Sequence, residues 1–421
     1  MVGTCIRSNS FFQSNIHDNA TATAVQGLLI MLRHLEKSQL QNPGPLRLGP
    51  FSVSRGILSI VFGCSVAIVL TAGLWPFHAP RNEVRWLQGE NGIGLGTYAT
   101  AISVSPLVPS AGASSGCTLE IWVKRARLWM TGTILSFYRA QTHQGFTVEQ
   151  DYTDLVLRLT DKRNSPSGDT SLRLEDVFRN PEFFLTVTSD AMSTRIYVNG
   201  KLKLTSDRFP ITARNLSGQV ILGNSPLRNH SWNGQIKGLA VYGSALNADQ
   251  VSRHATQWLQ GSLQQLEASD HVVALYPFAE HSGSLIHSTV APAVNLEIPE
   301  TFEVIDQLRF ESPESEAHAA GNYAKNALLN VLGFVPLGFV AMIFFLRVCK
   351  ANWPLIAATL TGAAVSLTIE YVQSFLPTRF SGVTDLFTNT FGAWIGAASY
   401  VVIVRTVGKR IRVEPSRTQP E

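Results

Sequence analysis

The sequence predicts a multidomain membrane protein, an all-β two-sheet antiparallel sandwich inserted in an α-helical transmembrane bundle of about four spans. Two observations carry this. The windows Ile57–Trp75, Ala327–Leu346, Leu355–Leu376 and Leu386–Val404 are nearly free of charge, and each approaches the roughly 20 residues a membrane-crossing helix needs. The long polar region between the first and second windows is built instead of short alternating apolar runs separated by Asn, Gly and Ser.

Residues 1–55 precede the first window and mix Asn, Ser, Thr and Gln with one amphipathic piece, "AVQGLLIMLRHLEKSQL". They are expected to be a largely disordered cytoplasmic segment or a surface helix, and Met31 is an alternative start. Residues 56–76 form the first span. The following "AGLWPFHAPRNE" has no A-x-A cleavage site, so an uncleaved anchor is expected rather than a signal peptide. Arg33, Lys37, Arg47 and Arg55 precede this span, Arg347 and Lys350 follow the second, and Arg405, Lys409, Arg410 and Arg412 follow the fourth. With four spans all three clusters fall on one side, which places both termini in the cytoplasm and the polar region outside it. The net charge of +4 is largely this topology signal and gives no reason to invoke nucleic acid. Of four cysteines only Cys117 lies outside, so no disulfide is expected there. The ten histidines are scattered and no metal-ligand spacing occurs.

The exported domain is expected over residues 90–260. "CTLEIWVKRA" puts Leu119, Ile121 and Val123 on one face, and "GTILSFYR", "DLVLRLT" and "FFLTVTSD" continue the pattern. "STRIYVNGKLKLT" holds two alternating runs joined by Asn199-Gly200, a hairpin signal. The succession "LEIWVK", "TRIYVNGKL", "GQVILGNSP" and "WNGQIKGLAVYGSALNADQV" resembles the LamG-like jelly rolls of the concanavalin A-like lectin/glucanase superfamily. The resemblance implies a jelly-roll fold and a glycan-binding type of surface. Glucanases of that superfamily carry carboxylates at alternate positions of one strand, as E-x-D-x-x-E. Glu120, Asp151, Asp154, Glu175, Asp176 and Asp190 form no such run, so hydrolysis is not expected. Trp122, Trp129, Tyr152, Tyr197, Trp232 and Tyr242 include candidates for stacking on sugar rings. Trp122 and Tyr197 lie in strands and are expected in the core; Trp232, in "NHSWNGQ", is the leading candidate for a glycan contact. Ca2+ is common in such domains, but no Asp-rich loop here supports it. Residues 261–325, with a further short apolar pattern in "VVALYPFAEHSGSLIHSTVAPAVNLEIPETFEV", are expected to form a final strand or strap packing back on the sandwich and then a linker.

Residues 326–405 form a three-helix membrane unit, followed by a cytoplasmic basic tail, 406–421. This unit carries Asn330, Glu370, Gln373, Arg379, Asp385 and Asn389, although an ionisable group at the centre of a bilayer costs about 2.5–3.5 kcal/mol on insertion scales. Gly362, Ser366, Glu370 and Gln373 share a helical stripe, Asp385, Asn389, Gly392 and Gly396 a second, and Asn326, Asn330 and Gly333 a third. Three such stripes predict a bundle converging on one polar pocket. Structurally the pocket could be no more than amide bridges, with Arg379 neutralising Glu370 or Asp385. Functionally it is a site for a polar headgroup, with Arg379 facing a phosphate or carboxylate. Glu370 and Asp385 are the candidates for an acid–base pair if the unit is an enzyme.

"NALLNVLGFVPLGF" and "IEYVQSFLPTRFSGVTDLFTNTFGAWIG" resemble the VanZ-like family of bacterial membrane proteins. The family pattern falls on Asn330, Phe334, Pro336, Gly338, Glu370, Gln373, Arg379, Asp385, Asn389, Gly392 and Gly396, with the first span as the family's own first helix. The resemblance implies a multi-pass protein of the bacterial cytoplasmic (inner) membrane; the absence of a glycosidase carboxylate motif is the ground for expecting a non-enzymatic role. Its namesake is linked to teicoplanin resistance. Handling or sensing of a lipid-linked glycan precursor, or glycopeptide tolerance, is the expected role; a headgroup-modifying enzyme and a non-catalytic scaffold are the alternatives.

Overall fold

A computed structural model describes residues 54–108, 116–161, 170–190, 192–260, 271–310, 323–379 and 381–412. The expectations for residues 1–50, for Met31 and for the last nine residues lie outside these. The chain divides into two compact units: the helices up to Trp75, from Ser312 to Glu370 and from Gly382 onward make one, and Pro76–Glu311 with Tyr371–Ser381 makes the other.

The second unit is a sandwich of two eight-stranded antiparallel sheets. The first runs in the order Arg85–Trp86, Ile93–Leu95, Gly234–Tyr242, Cys117–Arg125, Glu182–Ser189, Thr194–Val198, Lys201–Ser206, with Val272–Tyr276 also paired to Gly234–Tyr242. The second runs Leu285–Ile286, Leu296–Glu297, Ala101–Ser103, Gln219–Leu222, Thr131–Arg139, Gln144–Asp151, Asp154–Asp161, Thr170–Leu174. The hairpin at Asn199-Gly200 forms, with both residues at positive φ (51° and 74°), as a tight two-residue loop requires. Leu119, Ile121 and Val123 are buried in the core between the sheets together with Leu185, Val187, Phe137 and Leu157.

The strands extend beyond the 90–260 expected from the alternating runs. Val272–Tyr276 joins the first sheet as a strand, one of the two forms expected for this segment, and Leu296–Glu297 adds a short strand to the second. Leu296–Glu297 is only two residues long and carries no readable period, which is why the alternation does not reveal it.

Helix α2 (Ala248–Gln260) covers the outer face of the first sheet. It buries Val251, His254, Ala255 and Trp258, one stripe at helical spacing, against Phe184, Tyr197, Ala240, Tyr242 and Leu275. Beneath it Glu120 is fully buried. Its Oε2 accepts from Tyr242 Oη (2.7 Å) and Trp258 Nε1 (3.1 Å), and its Oε1 lies 3.1 Å from His254 Nδ1.

The helical unit holds α1 (Arg55–Leu74), α3 (Tyr323–Arg347), α4 (Pro354–Gln373) and α5 (Val383–Arg412). All four are long and apolar enough to cross a membrane. Ser54 caps α1 by accepting from Ile57 N. No residue of α1 is buried, and Ile57, Ile60, Val61 and Ile68 are exposed, an outward apolar surface suited to lipid. Against its other side Phe62 stacks on Phe344 and Gly73 meets Ile369.

Candidate functional site

Glycine decides how the helices meet. A Cβ on Gly338 would lie 1.9 Å from Ala393 O, and one on Gly392 or Gly396 would lie 2.2 or 2.0 Å from the carbonyls of Val331 and Val335. α3 and α5 are therefore in backbone contact, the close approach that small-xxx-small spacing permits. Gly333, assigned to the third stripe by spacing, faces open space, and Asn326 is exposed. The small residue on the packed face of α3 is Gly338.

Above this contact the polar side chains meet. Asn330 Nδ2 donates to Asp385 Oδ1 at 2.7 Å, joining α3 to α5. Asn389 Nδ2 donates to Ser366 Oγ at 3.0 Å, joining α5 to α4. One turn beyond Ser366, Glu370 is 1 % exposed, and its Oε2 accepts from Gly382 N at 3.0 Å, just ahead of α5. Asn389 is 5 % exposed, and its Oδ1 has no hydrogen-bond partner; neither does the buried Trp394 Nε1 farther along α5. An unpaired buried polar atom costs about 1–3 kcal/mol, so two in one apolar bundle are notable.

Gln373 and Arg379 belong to the other compact unit, in Tyr371–Ser381. Gln373 is buried and Arg379 half-buried. In that segment Gln307 Nε2 donates to Leu376 O and Arg379 O (2.8 and 2.7 Å), and the Arg309 guanidinium lies 4.8 Å over the Phe375 ring. Nothing local in the sequence marks Gln307 as the partner of this loop.

In the sandwich Trp232 must be corrected. It is fully buried, with its ring in the core and Nε1 donating to Gln150 Oε1 at 2.7 Å, so it offers no face to a glycan. Its loop runs directly against the neighbouring strand: a Cβ on Gly132 would lie 2.6 Å from Ser231 O. Tyr197 is in the core under α2 and Trp122 packs beside it. The exposed members of the aromatic set are Trp129 and Tyr152, at 72 % and 52 %. Gln150 is a residue that sequence reasoning missed; it lies 82 positions from Trp232, and no short-range pattern links them. Burial pushes the Cys117 thiol up to about 12, consistent with an inert core thiol. Among the described residues no group of three His, Cys, Asp or Glu could hold a metal ion.

Residues 257–404 match the VanZ/LLP1 family model, and residues 96–252 match that of the concanavalin A-like lectin/glucanases superfamily. The chain joins a VanZ-like membrane unit to a concanavalin A-like domain. The VanZ-like match contains Asn330, Glu370, Gln373, Arg379, Asp385 and Asn389, and leaves α1 outside it. No curated protein matches the chain. Among solved structures it is similar to a Bacteroides ovatus protein described as a candidate carbohydrate binding protein, at 15 % identity and TM-score 0.33, over 47 % of this chain and 55 % of that one. It is also similar to the receptor binding domain of a botulinum neurotoxin C/D mosaic, at 17 % identity and TM-score 0.34, over 42 % and 45 % of the two chains. The chain thus spans about half the length of these structures.

Proposed function

We propose that this is a bacterial envelope protein whose sandwich binds glycan outside the cytoplasmic membrane and whose VanZ-like unit binds the polar headgroup of a lipid-linked glycan precursor. The observation that carries the reading is the buried polar cluster of α3, α4 and α5. Two side-chain bridges, Asn330 to Asp385 and Asn389 to Ser366, already hold the helices together. A cluster serving only to hold helices would gain nothing from the unpaired Asn389 Oδ1. A headgroup hydroxyl or amide N–H donated to that oxygen would satisfy it, and Glu370, one turn along α4 from the Ser366 that Asn389 contacts, would supply a further acceptor. The match to the concanavalin A-like superfamily supports the glycan half as a fold suited to such a surface, and function is then a property of the site it carries.

The test is native mass spectrometry of the full chain after gentle extraction, wild type beside Glu370→Gln. A phospholipid or polyprenyl-phosphate species that co-purifies with the wild type and is lost in the variant supports the headgroup site. The same lipids on both, or none on either, would reduce Glu370 to a bridge within the bundle.

A further inference from the structure

We propose that Trp129 and Tyr152 form a stacking platform for a saccharide ring, with Asp151, Asp154 and Arg173 as its hydrogen-bonding rim. The inference rests on the glycan-binding reading of the sandwich and gives that reading a site.

The two rings are neighbours, with centroids 6.2 Å apart and planes inclined at 56°, and both stand out from the surface. Inclined faces of this kind make a shallow angled cleft. One wall can take the C–H face of a pyranose and the other its edge. Neither ring serves the core.

Tyr152 also holds its place at a cost. It lies in the two-residue loop between Gln144–Asp151 and Asp154–Asp161 with φ at 56°, a conformation that glycine or asparagine adopts without strain and a bulky aromatic does not. A half-exposed tyrosine in a strained position does nothing for folding that glycine would not do better. Other non-glycine residues, Phe278 and Phe310 among them, share a positive φ, so the exposed ring pair carries the proposal and the conformation only adds to it.

The platform is preorganised from beneath. Gln150 is fully buried, and its Nε2 lies within 3.1 Å of the carbonyls of Arg127, Leu128 and Tyr152, so one amide ties the Trp129 loop to the Tyr152 loop. Tyr152 N donates to Met130 O at 2.8 Å, a second tie between the same loops. Trp232 Nε1 fixes Gln150 in turn. The buried tryptophan thus acts on the surface through Gln150, as a positioning residue. Beside the rings Arg173 bridges Asp151 and Asp154, the latter at 2.7 Å. Carboxylate and guanidinium side by side offer acceptors and donors to sugar hydroxyls. The rim is of mixed charge, Asp151 and Asp154 being paired with Arg173 and Asp176 with Arg179, so it offers both acceptors and donors to a neutral sugar.

The experiment is isothermal titration calorimetry of the full chain in detergent micelles. The probes are the tetramers of N-acetylglucosamine, cellulose and maltose, and the variants are Trp129→Ala, Trp129→Phe and Tyr152→Gly. The expected result is binding of at least one probe by the wild type, weakened at least about tenfold by Trp129→Ala and by Tyr152→Gly and largely kept by Trp129→Phe. Tyr152→Gly should at the same time leave the thermal transition unchanged or raise it, since glycine relieves the φ strain; a purely structural tyrosine would lower it. Wild type and variants binding one probe equally would overturn the platform and leave glycan binding standing. A wild type that binds none of the three would overturn both. Loss by Trp129→Ala of binding to phosphatidylethanolamine–phosphatidylglycerol vesicles, with no saccharide bound, would make the pair a membrane contact and overturn the proposal.

Discussion

Among the described residues two glutamates, one in each unit, are almost completely buried: Glu120 in the sandwich and Glu370 in the helical unit. Glu120 is enclosed by partners from an adjacent strand and a covering helix, Tyr242, His254 and Trp258. Its work is to fasten α2 to the sheet. Glu370 lies one helical turn from Ser366, whose partner Asn389 keeps an unpaired oxygen. Burial of a carboxylate therefore does not by itself distinguish a structural residue from a candidate binding residue. What distinguishes them is whether the polar capacity around each is used up.

The largest effect that would test this contrast is Glu120→Ala. It removes the acceptor shared by Tyr242, His254 and Trp258 in a fully buried site, and we expect a loss of about 3–5 kcal/mol in the stability of the sandwich, read by chemical or thermal unfolding. Glu120→Gln keeps acceptor capacity and should cost less. If Glu120→Ala proved neutral, the network would not be what holds α2.

Next comes Gly338→Ala, which sets a methyl group against Ala393 O. Overpacking at a backbone contact should cost about 1–3 kcal/mol and lower the aggregation temperature of the detergent-extracted chain. Gly333→Ala, in open space on the same helix, is the control and should be neutral or stabilising by up to about 1 kcal/mol. Equal effects from the two would remove the close packing of α3 on α5 from the account.

Trp232→Phe keeps most of the buried ring but leaves Gln150 Oε1 without its donor. A loss of about 1–3 kcal/mol is expected, together with weaker saccharide binding. Unchanged saccharide binding would detach Gln150 from the surface rings.

The smallest effect is a pH dependence at Asp154. The backbone N–H of Asp176, with Arg173 and Thr153, holds its carboxyl below the usual carboxylate range. A depressed folded pKa adds stability that is fully present above the unfolded value and is lost as pH falls through the folded one. The pair is partly exposed, so Arg173→Ala should cost under about 1 kcal/mol at neutral pH and flatten the acid limb of the stability curve. An unaltered acid limb would remove Asp154 from it.

Much of the fold is legible in the sequence because it rests on local period. Leu119, Ile121 and Val123 alternate and are buried together, Asn199-Gly200 makes its hairpin, and the apolar windows form the four long helices. The polar stripes at spacings of three and four point to Asn330, Ser366, Asp385 and Asn389, and the structure joins these in pairs. Fixed helical geometry makes that step short.

The remaining features depend on groups far apart along the chain. Alternation makes Glu120 a residue of the outward face, yet α2 folds back from position 248 and seals it. Trp232 sits in a polar loop sequence but turns inward, because Gln150 supplies a partner for its indole N–H and the core accepts its ring. The same amide leaves Trp129 and Tyr152 outside. Local period says which residues share a face; only packing says whether that face is covered.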